Sequence, residues 1–249
     1  MPSGLINWVK LKERFIVNYL AIDASTEACS VALCYQGNRY SRYQLCPQSH
    51  SLMLLPMVDE VLNEANITLA QLDGLIFGQG PGSFTGVRIG IGVAQGLAYS
   101  ANLPVVGVST LQTMAQQAFI NKGQTQVISA IDARMAETYC GLFAIDANQI
   151  MQPVIKEAVI APASVNDYIT DHRNDDSLHG VGSAWNAYKE QLANIDDISI
   201  NDDIEFPTAV AMLAIGKAEF ALGNSVAAEQ AQPVYLRDTV TWKKLPGRE

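Results

Sequence analysis

Residues 75–106 read LIFGQGPGSFTGVRIGIGVAQGLAYSANLPVV. A short apolar strand, Leu75–Phe77, enters a turn holding Gly78, Gly80, Pro81 and Gly82, and Ser83 stands in a helix N-cap position before an apolar-periodic run. Strand, glycine turn and helix in this order make one unit of an α/β fold, with backbone N–H groups aimed above the turn. The named phosphate motifs do not fit. No Lys follows the glycines, Thr85 stands where the dinucleotide fingerprint needs its third Gly, and no Asp or Glu lies between Asp73 and Asp132. Two readings stay open: an anion seat, or a tight turn that only starts a helix.

In the helix, Gly86, Gly90, Ala94 and Ala98 recur every four residues, and Gly92, Gly96 and Ser100 form a second small-residue row. Each Gly costs a helix about 1 kcal/mol relative to Ala, so close approach of another backbone must compensate. That backbone belongs to the chain's own sheet or to a partner helix, and the sequence does not choose.

The chain has 249 residues, 49% of them hydrophobic, enough for one large core or two modest ones. Its 16 Lys and Arg against 25 Asp and Glu give a net charge of −9, and no basic run is interleaved with aromatics. That balance argues against tight direct nucleic-acid binding, so any link to RNA is expected to go through a partner. Cys29, Cys34, Cys46 and Cys140 show no Cys-x-x-Cys pair and read as reduced, buried thiols of a cytoplasmic protein. The uncharged stretch Ile89–Asn121 is broken by Gln95, Asn102, Pro104 and Gln112 well short of the roughly 20 apolar residues a membrane span needs. Residues 1–16 carry Lys10, Lys12 and Arg14 without an apolar signal core and are expected to be a dispensable extension.

In chain order, strand Tyr19–Asp23 ends in Asp-Ala-Ser-Thr (Asp23–Thr26), and Ser30–Tyr35, the Gly37-Asn38 turn and Arg39–Cys46 give two hairpins. His50–Glu64 is a helix with apolar residues on two faces, and His50 is expected to be exposed at its start. Strand Leu75–Phe77, the glycine-rich helix, strand Val105–Val108 and helix Ser109–Phe119 follow. Then the pattern restarts, because Ala21-Ile22-Asp23-Ala24 is matched at Ala130-Ile131-Asp132-Ala133, each time at the end of the first strand of a hairpin series. Strand Tyr139–Phe143, helix Ser164–Thr170, strand Leu178–Val181, helix Ala184–Leu192 and helix Pro207–Leu222 complete it.

The predicted fold is therefore α/β, a duplicated βββαβα arrangement of the actin-like (acetate and sugar kinase–Hsp70–actin) type in two lobes. Residues 1–16 are the extension, 17–108 the first lobe and 109–232 a degenerate second lobe whose last helix, 207–222, is free to pack on the first. Residues 233–249 form a tail. In such folds ligands sit at strand ends, which makes Asp23, Ser25, Thr26, Gly80, Gly82, Ser83 and Asp132 a candidate vestigial nucleotide or phosphate cleft.

The segments YLAIDASTEACSVAL (19–33), GPGSFTGVRIGIGVAQGLA (80–98), IDAR (131–134) with Glu137 and Tyr139, and PVYLR (233–237) resemble the bacterial tRNA threonylcarbamoyladenosine biosynthesis protein TsaB (YeaZ) family of the glycoprotease superfamily. The resemblance runs from about Val17 to the C-terminus. It implies a non-catalytic scaffold and activating subunit of the complex that forms N6-threonylcarbamoyladenosine at position 37 of tRNAs reading codons that begin with adenine. The implied partners are the catalytic subunit TsaD and the ATPase TsaE; a homodimer of the chain alone is expected from its apolar and glycine-rich helices. The catalytic relatives carry a metal-binding His-x-x-x-His after the strand that follows the glycine-rich helix; here those positions are Thr110 and Met114, neither a substitute for imidazole. With only His50, His172 and His179 in the chain, none at i, i+4 spacing, no metal and no catalytic residue is expected, and ATP with magnesium only in the assembled complex. A small-molecule kinase, with Gly180-Val181-Gly182-Ser183 as its nucleotide loop, and a metallopeptidase are the competing classes. The apolar helix 50–64 and the glycine-rich helix are expected to form a four-helix partner surface through Leu54, Met57, Val61, Gly86, Gly90, Val93, Ala94 and Leu97. On that reading Gly90→Leu abolishes dimer and TsaD binding and leaves the fold intact.

Overall fold

A computed structural model describes residues 17–173 and 177–237, so the expected extension 1–16 and the tail beyond residue 237 lie outside the described residues. The first sheet has β1 (Tyr19–Asp23) at its centre, antiparallel to β2 (Ala28–Tyr35) and parallel to β4 (Gly74–Gly80). β1 is apolar on both faces because both are covered. Leu20 and Ile22 pack under α1 (His50–Ala65) and α2 (Phe84–Ala101), while Tyr19 and Ala21 pack under α7 (Ala209–Leu222), the last helix of the chain. β3 (Asn38–Leu45) and β5 (Val105–Ser109) form the two edges, giving the order β3-β2-β1-β4-β5.

The second sheet is built from β6 (Gln126–Asp132), β7 (Thr138–Ile145), β8 (Met151–Pro153), β9 (Ala158–Ile160), β10 (Leu178–Val181) and β11 (Ile198–Ile200), in the order β8-β7-β6-β10-β11. Reading β6 for β1, β7 for β2 and β10 for β4 reproduces the first order strand for strand, with β6 antiparallel to β7 and parallel to β10. The chain is thus a duplicated actin-like α/β fold. Two short strands share the role of β3 in the second sheet, β8 pairing with Phe143–Ile145 and β9 with Thr138–Cys140.

Between the sheets lie α3 (Thr110–Lys122) and α7 in mutual contact. Leu111, Met114, Ala115 and Ala118 of α3 bury against Val127, Ile131, Phe143 and Met151 of the second sheet. α7 seals the first sheet, and at Gly216 its backbone comes so close to Ile76 that an added Cβ would stand 2.3 Å from that side chain. The outer face of the second sheet is covered by α4 (Val165–Thr170), α5 (Ala184–Ala187) and α6 (Lys189–Leu192) through Ile169, Trp185 and Leu192.

The expected single helix over 184–192 is two, broken at Tyr188 (φ −127°, ψ 37°), whose phenol donates to Asp132 Oδ1 at 2.7 Å. The three-residue strands β8, β9 and β11 escape sequence reading, since alternation needs at least four residues to show. All four cysteines are free thiols, and among the described residues no helix is long and apolar enough to cross a membrane.

Candidate functional site: the inter-lobe cleft

β1 ends at Asp23, and the loop after it folds back onto the glycine turn. Gly82 lacks the Cβ that would stand 2.1 Å from Ser25 O, and Gly86 the one that would stand 2.2 Å from Ala24 O. The Ser83 N–H donates to Ser25 O at 2.8 Å, and the Ser83 hydroxyl caps Gly86 N at 3.3 Å. These donors are therefore used by the chain itself. Of the two readings of the glycine turn, close packing of the 23–26 loop explains Gly82 and Ser83; neither holds an anion seat open. Gly80 (φ +95°) lies against the segment 233–237, with Val234 O only 3.2 Å from an added Cβ.

That segment, PVYLR, crosses both lobes. Val234 N–H donates to Gln79 O at 2.8 Å, and the Arg88 guanidinium, stacked 3.5 Å over the Phe84 ring, donates to the Tyr235 hydroxyl at 2.8 Å. Arg237 donates to Ala133 O at 3.2 Å and pairs with Glu137. Sequence reading noted PVYLR and Glu137 as family residues but did not place them together, because a contact across 100 residues leaves no periodic signal.

Asp23 is fully buried. Its Oδ1 accepts from Ser25 N at 3.1 Å and Ser25 Oγ at 3.0 Å, while Oδ2 rests against Gly78 with no partner among the described residues. Burial pushes its carboxyl up to about 6, against the opposing pull of the Ser25 hydrogen bonds and the more distant His50. Ser25 Oγ in turn accepts from Thr110 Oγ1 at 2.9 Å, so the first loop is tied to the start of α3. One residue earlier, Ser109 Oγ accepts from Leu111 N and Gln112 N and donates to Glu157, whose carboxyl burial raises to about 7. Thr26 is also buried; its carbonyl lies 2.6 Å from His50 Nε2. His50 is thus not the exposed residue expected from its place at a helix start, because the 23–26 loop covers it.

Asp132, the second-lobe counterpart, has a different environment. Its Oδ1 accepts from Arg134 N at 2.8 Å and from Tyr188, and Oδ2 pairs with the Arg134 guanidinium at 2.9 Å, which also reaches Glu27 at 3.0 Å. Burial first, and then Asp132, pushes the Tyr188 phenol up to about 12. The Gly182 corner serves packing too: φ is +110°, and an added Cβ would stand 2.1 Å from Ala130 O, so Gly180–Ser183 is not an open nucleotide loop. Thr110 is hydrogen-bonded to Ser25 and Met114 is fully buried in the core.

The expected partner residues need correction. Leu54, Met57, Val61, Gly86, Gly90 and Ala94 are buried within this chain, Val93 and Leu97 are half-buried on the same core, and an added Cβ at Gly90 would contact Ala24 at 3.6 Å. Gly90→Leu therefore strikes the fold and not a partner. The reason is rotational: on each helix the more apolar or smaller row faces the sheet. The outward rows are Leu52 and Leu55 on α1, 72% and 48% exposed, and Thr85, Gly92 and Gly96 on α2, with half-buried Ile89 beside them. At Gly92 and Gly96 an added Cβ meets nothing within 4 Å.

A family model described as TsaD, tRNA N6-adenosine threonylcarbamoyltransferase, matches residues 44–243. The tRNA threonylcarbamoyladenosine biosynthesis protein TsaB of Escherichia coli (strain K12) is 46% identical over 235 residues, 92% of this chain and 99% of the relative. That of Haemophilus influenzae is 42% identical over 237 residues, 92% of this chain and 98% of the relative. The solved structure of YeaZ from Pseudomonas aeruginosa superimposes with a TM-score of 0.82 at 40% identity, covering 88% of this chain and 100% of that one. The chain belongs to the TsaB (YeaZ) family of tRNA threonylcarbamoyladenosine biosynthesis proteins, within the larger family that the TsaD model describes.

Proposed function

We propose that the chain is the non-catalytic scaffold and activating subunit of a cytoplasmic tRNA-modifying complex, the one that forms N6-threonylcarbamoyladenosine at position 37 of tRNAs reading codons that begin with adenine. Its partners are the catalytic TsaD and the ATPase TsaE. The observation that carries this reading is the pair Thr110 and Met114, one hydrogen-bonded to Ser25 and the other sealed in the core, where the catalytic relatives place metal-binding histidines. ATP and magnesium belong to the assembled complex, and tRNA is reached through it, in keeping with the net charge of −9.

The partner surface is the outward face of α1 and α2, the two helices that cover one side of the first sheet. Leu52, Leu55, Ile89, Gly92 and Gly96 lie on it. A second copy fills it when the chain is alone, and TsaD, a subunit of like architecture, replaces that copy, as a self-complementary patch allows. Gly96→Leu tests this. The site is open, so the variant folds, and replacing a helical Gly stabilises the monomer by up to about 1 kcal/mol. It is expected to be monomeric in light scattering, to fail to co-purify with TsaD, and to leave tRNA unmodified in a strain that depends on this chain. A dimeric, TsaD-binding Gly96→Leu chain overturns the surface. Sub-micromolar ATP binding with phosphotransfer by the isolated chain overturns the subunit reading in favour of a kinase.

A further inference from the structure

Cys29 on β2 and Cys46 just past β3 have no role in the cleft network, and His50 at the start of α1 meets that network through the Thr26 carbonyl. Each offers a ligand atom, the three atoms lie within 4.8 Å of one another, and all three residues are buried. Cys46 N–H donates to Glu27 O at 2.9 Å and Cys29 stands opposite Gln44, so the two cysteines are diagonal neighbours across the hairpin. Diagonal Cα atoms in such a ladder are about 7–8 Å apart, beyond the usual disulfide span of about 4.4–6.8 Å. The sulfurs converge without being set to join. His50 Nε2 lies 2.6 Å from the Thr26 carbonyl, which can only accept, so Nε2 carries the proton and the Nδ1 lone pair is left for another partner. Pairing one ring N–H with a backbone carbonyl is how metal-binding histidines are held in one tautomer.

We propose that Cys29, Cys46 and His50 form a Cys2His site for a borderline-soft divalent cation, zinc in the first place. The sequence predicts no metal, since its three histidines stand at no i, i+4 spacing; the hairpin register nonetheless brings Cys46 beside Cys29. Charge selects the dication. Two thiolates and Zn2+ sum to zero, whereas a copper(I) ion leaves a net negative charge in a core shared with Leu54, Met57 and Val58, where it is costly. Zn–S bonds of about 2.3 Å and Zn–N bonds of about 2.0 Å place tetrahedral donor atoms about 3.5–3.8 Å apart, so shifts of about 1 Å close the site. The ligand form of cysteine is the thiolate, so binding displaces thiol protons to solvent and leaves the fourth position to water at the slightly exposed His50 edge. The bound ion pins the open end of the β2–β3 hairpin to α1, directly beneath the 23–26 loop.

The test uses the full chain, stripped with a chelator and titrated with Co2+ as a spectroscopic probe. One Co2+ per chain is expected, with a thiolate-to-cobalt charge-transfer band, displacement by Zn2+ and release of protons on binding. Cys29→Ser and Cys46→Ser lose the band; Cys34→Ser and Cys140→Ser keep it. In case a buried serine unfolds the chain, alkylation mapped by mass spectrometry is run on the unmodified protein, where Zn2+ protects Cys29 and Cys46 and leaves Cys34 reactive. Absence of the band from the unmodified chain, its survival in Cys29→Ser, or a Cys29–Cys46 disulfide in the freshly isolated protein overturns the proposal.

Discussion

The two lobes repeat one strand order and one Gly-Ser corner but treat the aspartate that ends the first strand in opposite ways. Both follow the fourth strand with a Gly-Ser corner, Gly82-Ser83 and Gly182-Ser183, and in both the glycine allows close approach to a carbonyl, Ser25 O in one and Ala130 O in the other. Both end the first strand in Asp. Asp23 is buried with one oxygen unpartnered among the described residues, whereas Asp132 is paired with Arg134 and Tyr188. The backbone scaffold of a duplicated fold is thus kept where sterics demand it, and the side-chain chemistry at equivalent points is free to diverge.

The sharpest way to break the shared part of this comparison is a Cβ at the corners. Gly82→Val and Gly182→Val should each cost about 4 kcal/mol or more, because backbone carbonyls 2.1 Å from the new atom cannot yield as a side chain can. Urea midpoints measure both. A loss below about 1 kcal/mol at either corner would show that its glycine is not sterically required.

The divergent part predicts opposite signs for the two aspartates. Asp23 has a folded value of about 6, raised from 3.8, so the folded chain favours its protonated form; the benefit is complete below the unfolded value and is lost as pH rises through about 6. Asp23→Asn should therefore raise stability near pH 8 by on the order of 2–3 kcal/mol and change little near pH 4. Asp132→Asn should instead lower it by about 1 kcal/mol, through the loss of an ion pair and a weakened Tyr188 bond. Stability curves at the two pH values decide, and equal signs would remove the distinction. The smallest effect belongs to Arg134→Ala. Its side chain is 73% exposed, so losing the cross-lobe pair with Glu27 should cost only about 0–1 kcal/mol and less at high salt.

Legibility followed the range of the interactions. Strand Tyr19–Asp23, strand Leu178–Val181, the Ser83 cap and the start of α1 at His50 were readable because alternation, helical period and capping act within a few residues. Of the candidate cleft, Asp23 and Asp132 were readable as an internal repeat. Their environments were not, since Gly78, Thr110 and Tyr188 come from elsewhere in the chain. The half-buried Glu157 and the crossing PVYLR segment escaped for the same reason.

The helices of the first lobe show the division between the two kinds of information. The sequence by itself determined that α2 has two small-residue rows and α1 a wide apolar surface, because composition and period are local properties. Only the tertiary structure decided which row turns inward. Gly86, Gly90, Ala94 and Ala98 lie on the chain's own loop and sheet, and Gly92 and Gly96 face open space. A helix's rotation about its axis is set by what it packs against, here Ala24 and the β1–β4 face, and no local pattern carries that choice when both rows would fit.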